Sequence, residues 1–353
     1  MSRKDSYIAI GLMSGTSLDG LDMAACRFWQ KDGAWQFEIL QAETLEYDTS
    51  RRKKLANAPS LQKYNLEKLD REFGRFLGSS VKAFIEKYHL QPDLVASHGH
   101  TVFHRPDLAY TLQIGSGEEI RKQLSCPVVF DFRSQDVALG GQGAPLVPIG
   151  DRMLFPAYEA CVNIGGFANI SMEKAGKRIA WDICPANIVL NPFAQKLGFP
   201  FDNNGNLARK GKLQSALLDE LNQLDFYTQK PPKSLGKEWV TEVFDQVLKT
   251  CDARPEDFLH TLTLHMAVQI AAALPKGGGK ALFTGGGAYN GFLMEQIRYN
   301  SNMEIVVPEK QLVEFKEALI FAFMGLLRLR NEVNVLASVT GACRDHSSGT
   351  ILA

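Results

Sequence analysis

The chain has 353 residues and equal numbers of basic and acidic side chains, 39 of each, so its formal net charge is zero. This balance leaves no basic field that would hold nucleic acid or an anionic membrane surface. The 45% hydrophobic fraction is ordinary for a globular protein, and the length favours two domains. The first residues are polar and the apolar run after them is short, which predicts neither a signal peptide nor a membrane span.

The six cysteines are scattered, with no CxxC pair and no cluster at the spacing of a zinc site. This usage is typical of buried thiols in a reducing compartment. Together with the absence of a leader segment, it predicts a cytoplasmic protein.

The first half of the chain opens with strand patterns around glycine-rich turns. The Lys31-Asp32-Gly33 sequence between two apolar runs indicates a hairpin. Apolar residues at helical spacing predict a long amphipathic helix from Leu66 to Tyr88. We predict strands at residues 8–12, 23–28, 35–40, 94–97 and 128–130, and a further helix at 116–125.

The second half opens in the same way, which predicts an internal duplication. We expect strands at 160–164, 168–172, 178–183 and 280–283, and helices at 186–197, 212–223, 239–251, 255–274, 290–299 and 311–329. Strands that alternate with helices predict an α/β fold with mixed sheets. The expected domains are residues 1–140 with a C-terminal segment of about 335–353, and residues 141–334.

A polar glycine-rich segment, residues 11–22, follows the first strand. Glycines allow close approach of a ligand to the backbone, and small hydroxyls donate to phosphate oxygens. The candidate phosphate-binding residues are Gly11, Ser14, Gly15, Thr16 and Ser17. Asp19 and Asp22 are candidates to hold Mg²⁺ directly or through water. The alternative is a tight hairpin turn without a ligand.

Two further glycine turns follow strands in the second half, at residues 163–170 and 283–290. Their candidate nucleotide-binding residues are Gly165, Gly166, Gly285, Gly286 and Gly287. Each is also compatible with a simple turn between elements. The chain contains neither a Walker-type GxxxxGK[ST] nor a GxGxxG that opens a βαβ unit. Three separate glycine loops therefore predict a nucleotide clamped between two halves.

Asp182 ends a predicted strand and precedes a helix, in the run Trp181-Asp182-Ile183-Cys184-Pro185. A carboxylate in that position can act as a general base for an incoming nucleophile. The alternative is a structural acid or a helix cap.

Two polar loops have the composition of a carbohydrate pocket. The first, residues 97–106, carries three histidines, which we interpret as polar donors and not as metal ligands because no matching acids accompany them. The second, 131–136, contributes Arg133 and Asp136 and runs into a glycine-rich stretch. The alternative is that these residues only join the domains.

These segments together resemble the anhydro-N-acetylmuramic acid kinase family over nearly the whole chain and in the same order. The matching runs are GLMSGTSLDGLD (11–22), SHGHTVFH (97–104), LQIG (112–115), DFRSQD (131–136), GGQGAPLVP (140–148), NIGGFANI (163–170), FDNNGNLARKG (201–211), PPKSLGKEW (231–239), TGGGAYNGFL (284–293) and KEALIFAFMG (316–325).

The resemblance implies an actin-like ATPase (ribonuclease H-like) fold with two domains and an interdomain cleft, and suggests a homodimer. It implies a kinase that uses MgATP to open the 1,6-anhydro bridge of anhydro-N-acetylmuramic acid with water and phosphorylate O6, a step of peptidoglycan recycling. Asp182 matches the family's catalytic residue, which would deprotonate the attacking water. The sugar-binding candidates are His98, Thr101, Gln113, Arg133 and Asp136 in the matching segments, together with Asn187 in the run after Asp182.

The chain departs from the family pattern at two places. The family usually has Thr-Gly-Pro-Gly-Asn after the catalytic Asp, where this chain has Ile183-Cys184-Pro185-Ala186-Asn187, and His100 replaces a Gln. Loss of two glycines stiffens the turn. Three alternatives therefore stay open: another sugar kinase of the same fold, an ATPase that switches a binding surface, and an ATP-binding sensor without turnover.

Overall fold

The computed structural model describes residues 4–15, 17–105, 108 and 110–353. The chain divides into two compact units. Unit 1 comprises residues 1–155 and 315–353, and unit 2 comprises residues 156–314. In the described part of the chain, no helix has the length and apolar character needed to cross a membrane.

Unit 1 is built on a mixed seven-stranded sheet. Its strands are β1 (Ser6–Ser14), β2 (Gly20–Lys31), β3 (Ala34–Glu46), β4 (Leu94–Arg105), β5 (Tyr110–Ile114), β6 (Val128–Phe130) and the C-terminal β12 (Thr350–Leu352). The order is β12-β6-β4-β1-β2-β3, with β5 paired to β4. The predicted hairpin is confirmed: Lys31 pairs with Ala34, and both Asp32 and Gly33 have positive φ. Positive φ at both central residues is what a two-residue type I′ turn needs.

The helices of unit 1 include the predicted long one. They are α1 (Thr49–Ala56), α2 (Lys63–Lys87), α3 (Gly117–Arg121), α4 (Ser134–Ala138), α5 (Pro148–Leu154) and the last part of α13 (Lys310–Leu329), followed by α14 (Ala337–Thr340). The apolar stripe of α2 is buried against β1, β2 and β4. The sequence analysis missed α1, because it is polar on nearly every face and has no helical apolar pattern.

Unit 2 is built on a five-stranded sheet. Its strands are β7 (Ala160–Ile164), β8 (Phe167–Lys174), β9 (Lys177–Pro185), β10 (Lys280–Thr284) and β11 (Glu304–Val306), in the order β11-β10-β7-β8-β9. The first three strands are antiparallel neighbours, and the next strand pairs in parallel with the first. Strands β1, β2, β3, β4 and β6 of unit 1 repeat this order. The repeat confirms the predicted duplication and the two-domain actin-like fold class.

The helices of unit 2 pack around α11. They are α6 (Asn187–Lys196), α7 (Ser215–Asn222), α8 (Asp225–Thr228), α9 (Lys237–Trp239), α10 (Asp245–Leu248), α11 (Pro255–Ala273) and α12 (Gly291–Asn300). A π-helical turn, Val240–Phe244, lies between α9 and α10, so the single helix predicted at 239–251 is interrupted. Helix α11 is apolar on most of its circumference and supplies much of the unit's core.

The division between units differs from the predicted domain boundaries. It falls after Phe155 and again inside α13, whereas the sequence analysis expected boundaries near 140 and 334. Helix α5 packs tightly on α13: a Cβ at Gly150 would lie 2.5 Å from Cγ1 of Ile320. The glycine-rich stretch near 140 is therefore a loop inside unit 1 and not a linker.

Burial of His265 in α11 predicts a loss of stability in mild acid. Burial lowers the pKa of His265 to about 3, so the unfolded chain binds its proton first, at the ordinary pKa of about 6.5. Between pH 6.5 and 5 the unfolded state gains this proton and the folded state does not. The free energy of unfolding therefore falls by about 1.5 kcal/mol over this range. Urea unfolding at the two pH values is expected to show a smaller loss in His265→Asn. An equal loss in both proteins would contradict the assignment.

Candidate active site

The segment after β1 is only partly available to a ligand. Ser14 is buried at the end of β1, where its hydroxyl accepts from the Tyr47 hydroxyl (2.7 Å) and bonds Nδ1 of His100 (3.2 Å). Both of these partners lie inside unit 1, and the assignment of the Ser14 hydroxyl to a phosphate stays a prediction. Ser17 and Asp19 are exposed. Thr16 lies outside the described residues.

Packing or backbone conformation accounts for three of the predicted nucleotide-binding glycines. A Cβ at Gly11 would lie 1.8 Å from the carbonyl oxygen of Ala318, so β1 approaches α13 too closely for any side chain. A Cβ at Gly287 would lie 2.2 Å from Cγ2 of Ile164. Gly285 has φ +81°, which other residues rarely adopt. The fold alone explains these glycines.

The other four predicted glycines have no such explanation. Added Cβ atoms at Gly15 and Gly165 would meet nothing closer than 3.5 and 3.6 Å, and at Gly166 and Gly286 nothing within 4 Å in the described structure. None of the four has positive φ. Neither packing nor backbone conformation requires glycine at these four positions, so their assignment to a nucleotide stays a prediction.

The carbonyl oxygens of the β7–β8 turn are already engaged. The Gly165 carbonyl oxygen accepts from the backbone N–H of Asn187 (3.2 Å). The Gly166 carbonyl oxygen accepts from the backbone N–H groups of Ala186 (2.8 Å) and Ile188 (3.2 Å). These are the first amides of α6, so the start of this helix is capped by the turn and does not offer them to an anion. The Asn187 side chain is half-buried.

Two carboxylates of unit 1 influence each other. Asp22, on β2, accepts from the Thr44 hydroxyl (2.6 Å) and is half-buried. Desolvation by the surrounding protein raises the pKa of Glu317, the Lys316 charge lowers it, and the smaller effect of the Asp22 charge raises it. The Glu317 side chain still reaches solvent, so water partly screens this effect.

His98 supports Arg133 and does not face a ligand with a free nitrogen. Nδ1 of His98 donates to the Gly99 carbonyl (3.0 Å), and Nε2 accepts from Nε and Nη2 of Arg133 (3.0 and 2.8 Å). Burial first, and then the Arg133 charge, hold the pKa of His98 well below its ordinary value, so the ring is neutral. Both ring nitrogens are used within the protein, so the structure gives the predicted sugar contact of His98 no support. Burial also lowers the pKa of Arg133 to about 10, and its Nη1 donates to Gly143.

Asp136 is a structural residue, contrary to prediction. Its side chain is fully buried, accepts from the Gly143 amide and the Thr340 hydroxyl (both 2.7 Å), and lies 3.5 Å from Nε2 of His346. A Cβ at Gly141 would lie 2.2 Å from its Oδ2. The carboxylate ties the glycine-rich loop to the C-terminal segment and leaves no room for a ligand.

Thr101 and Gln113 lie side by side on the β4–β5 hairpin. They are register partners, and both are half-buried. Nε2 of Gln113 donates to the Thr111 hydroxyl (2.8 Å). His104 also bonds Thr111, at 3.4 Å, whereas His100 bonds Ser14. The histidines of this strand therefore have separate partners.

Asp182 lies on β9, the edge strand of the unit 2 sheet. Its register partner on β8 is Asn169, and the register shifts by one residue before Ala168 pairs with Cys184. Such a bulge re-aims side chains at the end of a strand. Oδ2 of Asp182 accepts from the Leu235 amide at 2.8 Å. Burial raises the pKa of Asp182, and the Leu235 hydrogen bond partly offsets this rise. A half-buried carboxylate with a raised pKa suits proton transfer near neutral pH.

Sequence reasoning missed an ion pair beside Glu317. Nζ of Lys316 lies 2.7 Å from Oδ1 of Asp151, and both side chains are about 5% exposed. The run KEAL matched the family pattern, but nothing in it marked the lysine as buried. The available signal was the place of Lys316 and Glu317 in α13, directly before a long apolar run at residues 318–327.

The chain was compared with known proteins. Residues 7–353 match the family model described as anhydro-N-acetylmuramic acid kinase. Anhydro-N-acetylmuramic acid kinase of Acinetobacter baylyi is 32% identical over 98% of both chains, and that of Gloeothece citriformis is 34% identical over 97% of both. A ROK family glucokinase from Streptomyces griseus, solved with glucose and AMPPNP, aligns with a TM-score of 0.41 and 10% identity over 90% of this chain and 98% of its own.

Proposed function

The chain belongs to the anhydro-N-acetylmuramic acid kinase family, and we propose that Asp182 is the base with which it opens and phosphorylates its sugar. The substrate is 1,6-anhydro-N-acetylmuramic acid, and the products are N-acetylmuramic acid 6-phosphate and ADP, as in peptidoglycan recycling. The geometry of Asp182 supports the proposal: the Leu235 amide holds one of its oxygens, and burial raises its pKa above that of an ordinary Asp.

Asp182 takes a proton from water as the water oxygen bonds to C1 of the sugar. The C1–O6 bond of the anhydro bridge breaks, and its electron pair stays on O6. When bound, MgATP supplies the phosphoryl group that O6 accepts, and ADP leaves. The proton on Asp182 is then released to solvent. One carboxylate suffices because phosphorylation of the leaving oxygen replaces protonation by a general acid.

The residues present suit MgATP. Asp19 and Asp22 would provide oxygen ligands, and Mg²⁺ commonly uses one or two carboxylates together with water and phosphate. Asp19 is exposed and Asp22 is half-buried, so neither carboxylate is closed off from a cation. We assign the phosphates to Ser17 and the unconstrained glycines, and sugar hydroxyls to Arg133, Thr101, Gln113 and Asn187.

The unconstrained glycines provide a test of nucleotide binding. Gly166→Ala and Gly286→Ala are each expected to raise the KM for ATP on the order of tenfold, because a methyl group would meet the ligand. Their free energy of unfolding is expected to change by less than about 1 kcal/mol. Any increase in stability would come from the lower conformational entropy of the unfolded chain, since alanine has fewer backbone conformations than glycine. Steady-state kinetics and urea unfolding measure both quantities.

Gly287→Ala is the matched control, because its methyl group would overlap Ile164. It is expected to lower the unfolding free energy by about 1–3 kcal/mol. An unchanged KM for ATP in both other variants would remove the nucleotide assignment of these glycines.

The reaction itself is tested in ¹⁸O-labelled water. Protein, MgATP and the anhydro sugar are expected to give a phosphorylated product that carries one ¹⁸O, detected by mass spectrometry. Phosphorylation of free N-acetylmuramic acid without label would favour an ordinary sugar kinase. Binding of ATP with no product from either sugar would favour a sensor.

We also propose that the protein acts in the cytoplasm as a homodimer, as the family resemblance suggests. Multi-angle light scattering of the purified protein would give twice the mass of the 39.1 kDa chain. A single-chain mass at working concentration would reject the dimer.

A further inference from the structure

A short segment of unit 2, residues 233–235, lies along the outer edge of β9 at Asp182. The Asp182 amide donates to the Lys233 carbonyl (3.0 Å), and the Leu235 amide donates to Oδ2 of Asp182 (2.8 Å). The segment therefore contacts both the backbone and the side chain of Asp182, although 53 residues separate Asp182 from Leu235. We call residues 233–235 the clamp.

The clamp is fixed by the side chain of Lys233. Its Nζ donates to the carbonyl oxygen of Phe226 (2.7 Å) and lies 4.3 Å from the centre of the Phe226 ring. Phe226 is buried between Tyr227 and Trp239, with ring centres 5.6 and 5.4 Å away. A cation over an aromatic face that also donates a hydrogen bond is a strong local anchor.

The residue after Phe226 is fixed from within the core. The Tyr227 hydroxyl bonds Nε2 of His265 at 2.8 Å, and Nδ1 of His265 bonds Oδ1 of Asn222 at 2.7 Å. Gln269 also donates to this Oδ1 (2.9 Å), so it is an acceptor, and His265 carries its proton on Nδ1. Nε2 therefore accepts from Tyr227. Since His265 stays neutral, this bond persists across the physiological pH range.

A chain of contacts thus runs from helix α11 through Tyr227 and Phe226 to the clamp. Building on the proposed role of Asp182, we propose that Lys233 and Tyr227 are positioning residues that hold the Leu235 amide on Oδ2, so that Oδ1 is the oxygen left to take the proton from water. They act through the clamp and do not contact the reacting atoms. The Cys184 thiol lies close enough to Asp182 for the Asp182 charge to raise its pKa, and the Cys184 charge in turn raises the pKa of the Tyr227 hydroxyl.

The clamp also sets the proton affinity of the base. The Leu235 hydrogen bond favours the carboxylate, so its loss raises the pKa of Asp182. A higher pKa leaves less carboxylate at low pH, and the acid limb of the rate profile then moves to higher pH.

The experiment measures kcat, both KM values and the pH profile of kcat/KM in the full-length enzyme. Lys233→Met is expected to lower kcat on the order of tenfold, with both KM values changed less than about threefold, and to move the acid limb up by about half a unit or more. Lys233→Arg, which keeps a donor, is expected to recover most of kcat. Lys230→Met, at an exposed lysine of the same loop, is expected to match the wild type.

Two further variants decide the question should Lys233→Met fold poorly. Leu235→Pro removes the amide and is expected to move the acid limb upwards, whereas Leu235→Ala keeps the amide and is expected to leave that limb in place. Tyr227→Phe removes the bond to His265 and is expected to shift the limb in the same direction, by less.

A wild-type pH profile in folded Lys233→Met and Leu235→Pro would overturn the positioning role. A fall in kcat with no shift of the acid limb would also overturn it, because a merely structural role predicts that pattern. The Asp182→Asn variant separates this result from failure of the proposed function. If that variant is inactive while the clamp variants keep the wild-type profile, Asp182 remains the base and only the clamp inference fails.

Discussion

Asp182→Asn is expected to lower kcat by about a thousandfold, within the range that a general base contributes. The amide has the shape of the carboxylate, and its oxygen can still accept from the Leu235 amide. It cannot take a proton from water near neutral pH. Since burial raises the pKa of the wild-type carboxyl, kcat/KM of the wild type is also expected to fall in acid at a higher pH than for an ordinary Asp.

The control for this variant is nucleotide binding. Asp182 lies on β9 of unit 2 and is not among the residues assigned to the nucleotide phosphates. We expect the Kd for ATP, measured by calorimetry, to stay within about threefold of the wild type. Retention of more than a tenth of kcat would show that another group takes the proton.

Lys316→Met is expected to lower the free energy of unfolding by about 3–5 kcal/mol. Its Nζ pairs with Asp151 at 2.7 Å, and both side chains are buried. Removal of one partner leaves a buried carboxylate without its cation, which is the costly way to break such a pair. Urea unfolding of the variant and the wild type measures the difference.

Two further variants test whether the loss of stability comes from the buried, unpaired charge. Arg27→Met breaks an exposed pair with Glu38 (3.2 Å), and is expected to cost less than about 1 kcal/mol. Combining Lys316→Met with Asp151→Leu replaces both charges by apolar groups, and is expected to restore most of the stability. If the single and double variants lose the same stability, the unpaired charge is not the cause.

The local elements of the fold were predictable because they depend on short-range patterns. Apolar residues at helical spacing gave α2 within a few residues, and the Asp32-Gly33 pair gave the β2–β3 hairpin with its positive φ values. Strand β9, which carries Asp182, was likewise predicted from its apolar residues. By contrast, α1 and the short strand β11 have too weak a pattern or too few residues for such a prediction.

The roles of several side chains were not predictable from their neighbours in the chain. Asp136 looked like a sugar ligand in a polar loop, but Thr340, more than 200 residues away, donates to it in the core. Ser14 looked like a phosphate donor, yet Tyr47 and His100 enclose its hydroxyl. Polar residue types in a loop indicate hydrogen bonding, but not whether the partner is a ligand or another part of the chain.

The sequence by itself determined the duplicated α/β architecture, the family and the acid on β9, because periodicity, turn residues and motif order are written along the chain. Only the tertiary structure decided which glycines are required by packing and which oxygen of Asp182 is held. It also revealed the buried pair of Lys316 and Asp151. These features depend on distances between residues far apart in sequence, and burial sets their energies by removing the water that would otherwise satisfy each polar group.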